Sequence, residues 1–510
     1  MELKERFWFP VIIFICVLYV LLRLWNLTDT CLWFDEIFSI HAAEHDWQNL
    51  FSFVASDLIH PPFFYVLLKI WIAAVGENLF WLRLFPVLFS TAALVPFYLI
   101  CRQLKIDFPA IALALSLFAA SGALIKYAQE IRMYAVLLCL SLFSLWLFLR
   151  FFNLGKSFAL LTIANVLLVY THYFGWLVVV SEIAAILIFQ RIKIRQILIM
   201  SAITLSSFTP WIFAVWQASM INADFSQNLG WANKPNLLVV FQFVFDLIEP
   251  FYYQQTNIDK SSIFLITVPL LLILIVASAF YLLNRKNQSE IDKRSINLLL
   301  IFVLTPVIFA FVASWALPVS VWGTRHLIIV FAPFLILTAI VIDKIKILYL
   351  KLAVLALIFW LTGIAFLIQL QRGTPLTIVC AWENLAGDLE RTESTSGERA
   401  KIFVFEDLAA YDFWFALRKS ANKFQVVKVN NIPGLAEDAA YFLPRGFDAV
   451  EKTDENGLRG ERFFIAFRDT EWNETKPPLR NLTARGYKLD LRKTFEAQGT
   501  KAFLAEVIKK

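Results

Sequence analysis

The chain has 510 residues, 59% of them hydrophobic, 16% aromatic and 17% charged, with a formal net charge of +6. An average soluble domain is about 45–50% apolar and about 25% charged, so this composition excludes an ordinary soluble enzyme and a disordered chain. Residues 371–510, roughly a quarter of the length, carry 22 of the 46 Lys and Arg and 21 of the 40 Asp and Glu, which implies lipid as the solvent of the front part and water as that of the tail.

A spanning helix needs about 20 mostly apolar residues. The runs that qualify are 8–25, 80–101, 108–125, 132–152, 156–172, 173–190, 196–217, 262–284, 296–316, 325–343 and 347–369. Two further apolar stretches are ambiguous. Residues 61–76 open with Pro61-Pro62 and are expected to enter only partway; residues 237–250 carry Asp246 and Glu249 and read as a re-entrant or surface helix. Cytoplasmic loops collect Lys and Arg. Lys4 and Arg6, then the loops 102–105, 150–156, 191–195, 285–294 and 344–351, supply the basic side. The other side receives 26–60, 126–131, the 172–173 turn, 217–261, 317–324 and the tail. Lys4 and Arg6 precede an apolar run, but no small-residue cleavage site follows, so no cleaved signal peptide is expected.

In the tail, helix patterns over 382–391 and 408–418 alternate with strand patterns over 401–405, 424–429, 461–467 and 501–508. That alternation predicts a small α/β domain. The fold class is therefore mainly α: a polytopic helical membrane protein of about 11 full crossings plus partial helices, spanning residues 1–370, with an extracytoplasmic α/β domain over 371–510. The tail is nearly neutral, without a basic stripe or a glycine-rich phosphate loop, so nucleic acid is not an expected partner. Five cysteines show no CxxC spacing. Cys31 and Cys380 are the two outside the apolar runs, and an oxidising compartment permits a bond between them.

Ionisable groups gather on the predicted outer side. The acidic pair Asp35-Glu36 stands in the first outer loop, and His60-Pro61-Pro62 closes it. Tyr127 to Arg132, with Glu130 between them, forms the next outer turn; Thr171-His172-Tyr173 follows, and Thr324-Arg325-His326 comes late. Charges at membrane depth are costly and mark functional pathways. Blander readings stand beside this one: Asp35 as a solvated loop carboxylate, Glu130 with Arg132 as an interfacial salt pair, Arg325 as a snorkelling side chain. His41 and His45 share a helical face at i,i+4 spacing, but no third ligand accompanies them and no metal site is predicted.

On these residues the sequence resembles a known family. Cys31-Leu32-Trp33-Phe34-Asp35-Glu36, His60-Pro61-Pro62-Phe63-Phe64-Tyr65, Leu82-Arg83-Leu84-Phe85-Pro86 and Tyr127-Ala128-Gln129-Glu130-Ile131-Arg132-Met133-Tyr134 look like the bacterial members of glycosyltransferase family 39. These are similar to protein O-mannosyltransferases and to the lipid A aminoarabinose transferase, with the GT-C fold. The resemblance covers about the first 345 residues, including Arg325-His326. It implies a transferase of the cell envelope that moves a hexosyl or pentosyl group from a polyprenyl-phosphate carrier, on the non-cytoplasmic face, to a lipid, glycan or protein acceptor. It also implies Asp35 as catalytic base and Glu130 as a second acidic position. The resemblance leaves divalent-metal use open: the aminoarabinose enzyme has an acidic residue near the position of His60, so its zinc site does not transfer.

The chemistry suits these residue types. Displacing a lipid phosphate from a sugar C1 needs a base near the acceptor hydroxyl, and carboxylates support the oxocarbenium-like transition state. The departing phosphate needs cations, best a forked guanidinium. The expected catalytic residues are Asp35, Glu36 and Glu130; the expected substrate-binding residues are His60, Arg83, Arg132, His172, Tyr173, Arg325 and His326. One base without a covalent intermediate gives inversion. A polymerase or ligase of polyprenyl-linked glycans uses the same donors and is the alternative; a transporter or flippase is the weaker one, because transporters place ionisable groups mid-membrane, often in repeated halves.

Overall fold

The computed structural model describes residues 3–221, 233–251, 260–283, 290–372, 377–393, 399–432, 443–445, 447–497 and 499–510. The chain divides into two compact units: Met1–Thr28, Ala43–Ile221 and Ala232–Gly373 form the first, and Asp29–Ala42, Asn222–Trp231 and Thr374–Lys510 the second. Residues 222–232 and 252–259 of the predicted outer connection, Arg285 and Lys286, and the side chains of Lys4 and Arg6 lie outside what is described.

The first unit is built of helices. Among the described residues, seven helical stretches are long and apolar enough to cross a membrane: 7–24, 79–103, 134–154, 191–220, 265–283, 293–316 and 348–371. They match the predicted runs in order, and they make the chain a multi-pass membrane protein. Several carry large apolar side chains outward, among them Phe14 at 67% exposure, Leu265 at 74% and Trp360 at 68%. Surfaces of that kind belong against lipid rather than water. Tyr134–Leu154 is different: it is apolar all round and mostly buried, the central helix of the unit.

Four predicted runs fold as shorter helices: Phe108–Ala120, Phe158–Thr171, Gly175–Phe189 and Phe331–Asp343. At about 1.5 Å per residue, each measures roughly 20–23 Å against a hydrocarbon core of about 30 Å. The run 108–125 breaks because its backbone finds partners elsewhere. Gly122 N donates to Glu249 O at 3.0 Å, Phe251 N donates to Ala120 O at 3.0 Å, and a new helix, Gly122–Gln129, begins. A break at this depth survives only where protein satisfies the freed groups. The 325–343 run likewise begins as a 3-10 turn, His326–Val330. The ambiguous stretches are both short helices. Phe63–Val75 starts after Pro61-Pro62 and stops at Gly76, whose φ of +84° suits a residue without Cβ, and Leu237–Ile248 is capped by the Asn236 side chain.

Two buried polar groups brace these helices. Arg23 of Leu3–Leu24 donates to Ser90 Oγ and to the carbonyls of Tyr19, Phe118 and Ala119 at 3.0–3.2 Å. The last two are orphan acceptors at the end of Phe108–Ala120. In the second, the Ser144 hydroxyl lies 2.6 Å from Asn165 Oδ1 and 2.7 Å from Glu182 Oε1, and Asn165 donates to Glu182 Oε2 at 2.7 Å.

The second unit carries a six-stranded mixed sheet. Its strands are β1 (Ala400–Val404), β2 (Phe424–Val429), β3 (Glu451–Thr453), β4 (Arg462–Asp469), β5 (Tyr487–Ala497) and β6 (Thr500–Lys509), in the order β3-β2-β1-β4-β6-β5. β1 runs parallel to β2 and β4, and β2 to β3; β6 runs antiparallel to β4 and β5. Phe403, Val427, Phe463, Ile465, Phe503 and Val507 form an apolar core with Leu479 and Leu482 of the helix Leu479–Ala484. Helices Cys380–Thr392 and Asp407–Leu417 complete the α/β domain near their predicted positions. β5 escapes the sequence pattern. It is an edge strand rich in Lys, Arg, Asp and Glu, and edge strands carry charge to resist pairing with other chains.

Candidate active site

In the first unit, four turns bring ionisable side chains together. Helix Trp47–Asp57 ends at Leu58 with φ +68°, which turns the chain toward His60. His60 Nδ1 lies 2.6 Å from Asp57 Oδ2, and its Nε2 lies 3.0 Å from Arg132 Nη2. A guanidinium only donates, so Nε2 accepts and Nδ1 carries the proton that Asp57 receives. Asp57, His60 and Arg132 thus form one oriented chain ending in a cation.

Arg132 lies in the turn between helix Gly122–Gln129 and the central helix, and its backbone N–H donates to Glu130 O at 2.7 Å. Glu130 is buried, 3.6 Å from Lys126. Tyr134 opens the central helix with its ring 6.4 Å from the rings of both His172 and His326. His172 closes Phe158–Thr171; its Nδ1 accepts from Phe174 N at 3.0 Å, and its ring centre is 5.1 Å from His326 and 6.2 Å from His60. Arg325 immediately precedes His326, whose ring neighbours those of His172 and Tyr134. Gly323 makes room for this: a Cβ there would meet His326 Nδ1 at 2.9 Å. Thr324 donates to Asp246 at 3.0 Å and fixes the other side of the turn.

Of the predicted residues, His60, Glu130, Arg132, His172, Arg325 and His326 therefore converge. Arg83 donates to Leu27 O at 3.0 Å, and Tyr173 donates to Leu58 O at 3.5 Å while accepting from Trp211; these contacts brace the backbone and a neighbouring helix. The sequence reading did not count Asp57, Lys126, Tyr134, Asp246 or Thr324 among its site residues, although Tyr134 and Thr324 stand in motifs it names. Asp57 had a signal, since it stands three residues before His60 in the same loop; Asp246 stood out as a carboxylate in an apolar stretch, but its partner, 78 residues away in sequence, did not.

The acidic pair belongs to the second unit. Helix Phe34–Glu44 places both carboxylates in its first turn, where the helix dipole favours negative charge. Glu36 is buried, and its Oε2 accepts from Trp33 N at 3.3 Å, the returning half of a capping box. Asp35 is only half-buried. The two neighbours thus divide their work: Glu36 is committed to the helix start, and Asp35 keeps access to solvent.

Among the described residues, no group of three or more His, Cys, Asp or Glu side chains is placed to hold a metal ion. His41 lies among Tyr411, Trp414 and Phe447, and His45 stacks on Phe53 at 4.6 Å. The Cys31–Cys380 pairing is present as a disulfide, with Cα atoms 5.3 Å apart.

No family model matches the chain, and no curated protein matches it in sequence. Solved structures do match. ArnT (lipid A aminoarabinose transferase) from Cupriavidus metallidurans bound to undecaprenyl phosphate superposes over 98% of both chains with a TM-score of 0.57 at 11% identity. The same protein in the apo state covers 92% of both with a TM-score of 0.54 at 13% identity. An apo oligosaccharyltransferase from Archaeoglobus fulgidus matches 81% of this chain and 64% of its own at a TM-score of 0.49 and 14% identity. The chain has the GT-C fold of ArnT.

Proposed function

We propose that this protein is an integral membrane glycosyltransferase that moves a sugar from a polyprenyl-phosphate donor to an acceptor hydroxyl on the non-cytoplasmic face, with inversion at C1. The observation that carries the reading is the Asp57–His60–Arg132 chain beside His172, Arg325 and His326. A forked guanidinium held by a histidine, within a cluster of further donors between apolar helices, suits a phosphate whose lipid tail lies in the bilayer. The fold supports the same class, since the ArnT structure holds undecaprenyl phosphate.

In this reading Arg132 and Arg325 hold the phosphate and neutralise the charge that grows on it as the C1–O bond breaks. His326 and His172 donate further hydrogen bonds. Glu130 faces the developing positive charge on the sugar. Asp35 takes the proton of the acceptor hydroxyl, and Glu36 keeps the helix that carries it. The disulfide supports an extracytoplasmic C-terminal domain, because such bonds persist in oxidising compartments.

The test uses the full chain, purified into lipid nanodiscs and given polyprenyl-phosphate donors with radiolabelled sugars. Transfer to a hydroxyl acceptor with an inverted anomeric centre is the expected result. Translocation of intact donor without bond cleavage would instead assign a flippase, and growth of the product by repeated units would assign the polymerase.

A further inference from the structure

The helix that carries Asp35 and Glu36 is tied down at three places, all within the second unit. Cys31, four residues before Asp35, is bonded to Cys380, the first residue of helix Cys380–Thr392. The Phe34 ring lies 5.3 Å from Tyr411. His41 Nδ1 is 2.8 Å from the Tyr411 hydroxyl, and the His41 ring sits 4.7 Å from Trp414 and 5.4 Å from Phe447. Tyr411 and Trp414 both come from Asp407–Leu417 and stack at 5.6 Å, so the anchor is itself rigid.

The spacing of the tethers gives them a consequence. Residues 34 and 41 are seven apart, two helical turns, and lie on one face. Fixing both fixes the rotation of the helix about its axis. Asp35 is one residue on, about 100° round from that face, so its direction is set by the same contacts. Cys31 fixes the chain just before the first turn. The helix is only 11 residues long, and isolated helices shorter than about 12–15 residues are marginal in water. Its order therefore depends on what it packs against.

We infer that the C-terminal domain is a positioning element for the acidic pair, acting through Cys31–Cys380, His41–Tyr411 and Phe34–Tyr411. The sulfur bridge holds the segment against the domain, and the Tyr411 contacts set its rotation. Cys31, His41, Cys380 and Tyr411 are positioning residues. None of them does chemistry on the sugar. This inference rests on the transferase reading in assigning Asp35 a chemical step.

Two measurements on the full chain in nanodiscs test it: amide hydrogen exchange over residues 34–44, and transfer kinetics with a labelled polyprenyl-phosphate donor. They are made on the parent, on Tyr411→Phe, and on the parent treated with dithiothreitol. That reductant gives two electrons and two protons to the disulfide, yielding two thiols and its own cyclic disulfide. Expected are faster exchange over 34–44 in both altered forms and a fall in kcat of about 10- to 100-fold, with KM for the donor unchanged and kcat restored on reoxidation. Tyr411→Phe keeps the ring, so the domain stays folded. Unchanged exchange, or faster exchange with unaltered kcat, overturns the inference. A KM that rises while kcat holds overturns it too. Absence of transfer by the parent sinks the transferase reading instead, and the exchange result then stands by itself as a statement about the helix.

Discussion

Nε2 of His60 accepts a hydrogen bond from Arg132 at 3.0 Å, so the imidazole that looks like a donor in the sequence serves to aim a guanidinium. The other ring nitrogen is fixed by Asp57 at 2.6 Å. Asp57→Asn should therefore weaken activity although it touches no substrate. We expect Arg132→Lys to lose about 10²–10³ in kcat, the scale for removing one donor to a developing oxyanion. His60→Ala should lose less, and Asp57→Asn less again. Steady-state kinetics on the three variants checks the order; equal activity of Arg132→Lys and the parent would remove Arg132 from the phosphate site. Arg325→Lys should also lose most activity while remaining folded, since a point charge cannot replace the fork.

The acidic neighbours should separate cleanly. Asp35→Asn should abolish transfer, on the scale of about 10²–10⁴ in rate for a general base, with donor binding retained. Glu36→Gln keeps an oxygen that accepts from Trp33 N, so activity should stay within a few-fold. Glu36→Ala removes the cap, and helix capping is worth about 0.5–2 kcal/mol. Transfer rates with donor binding measured alongside decide this. A Glu36→Gln variant as dead as Asp35→Asn would reverse the assignment of the two roles.

Arg23 should be a stability residue. Its guanidinium joins Ser90 Oγ to three backbone carbonyls from two helices. Arg23→Met leaves the buried carbonyls of Phe118 and Ala119 without their donor, at about 1–3 kcal/mol for each unsatisfied group. The detergent-solubilised variant should melt several degrees below the parent, and Arg23→Lys should fall between. A melting temperature equal to the parent's would show that the carbonyls find other donors.

Asp412 in the C-terminal domain should make stability pH-dependent. It is buried, and neither carboxylate oxygen has a hydrogen-bond partner among the described residues. Burial, and then the charge of Glu383, push its carboxyl well above the usual range. A folded-state value above the unfolded value of about 3.9 means that the stability is fully present in acid and is lost as pH rises toward the folded value. Asp412→Asn should remove that loss. The variant should gain on the parent in melting temperature as pH goes from 4 to 8; a constant difference across that range would mean that Asp412 does not titrate as described.

The sequence by itself determined the partition of the chain between lipid and water. Charge density and apolar run length are local properties, and the long helices and most of the tail's elements appear where those properties place them. It also determined which residue types could handle a lipid phosphate, because Arg, His and carboxylates are scarce in the apolar front part and stand at the ends of its runs. What it could not determine were the breaks and the pairings. Phe108–Ala120 stops at Ser121 because residues 249–251 supply its hydrogen bonds, and nothing near residue 121 encodes that. Neighbouring Asp35 and Glu36 are equivalent by composition, and only the fold commits Glu36 to Trp33 N. His41 had no partner legible in the sequence, yet Tyr411, 370 residues later, takes its ring nitrogen. Hydrogen bonds of such long sequence separation depend on where distant helices come to rest, so tertiary structure alone decides which buried polar groups meet.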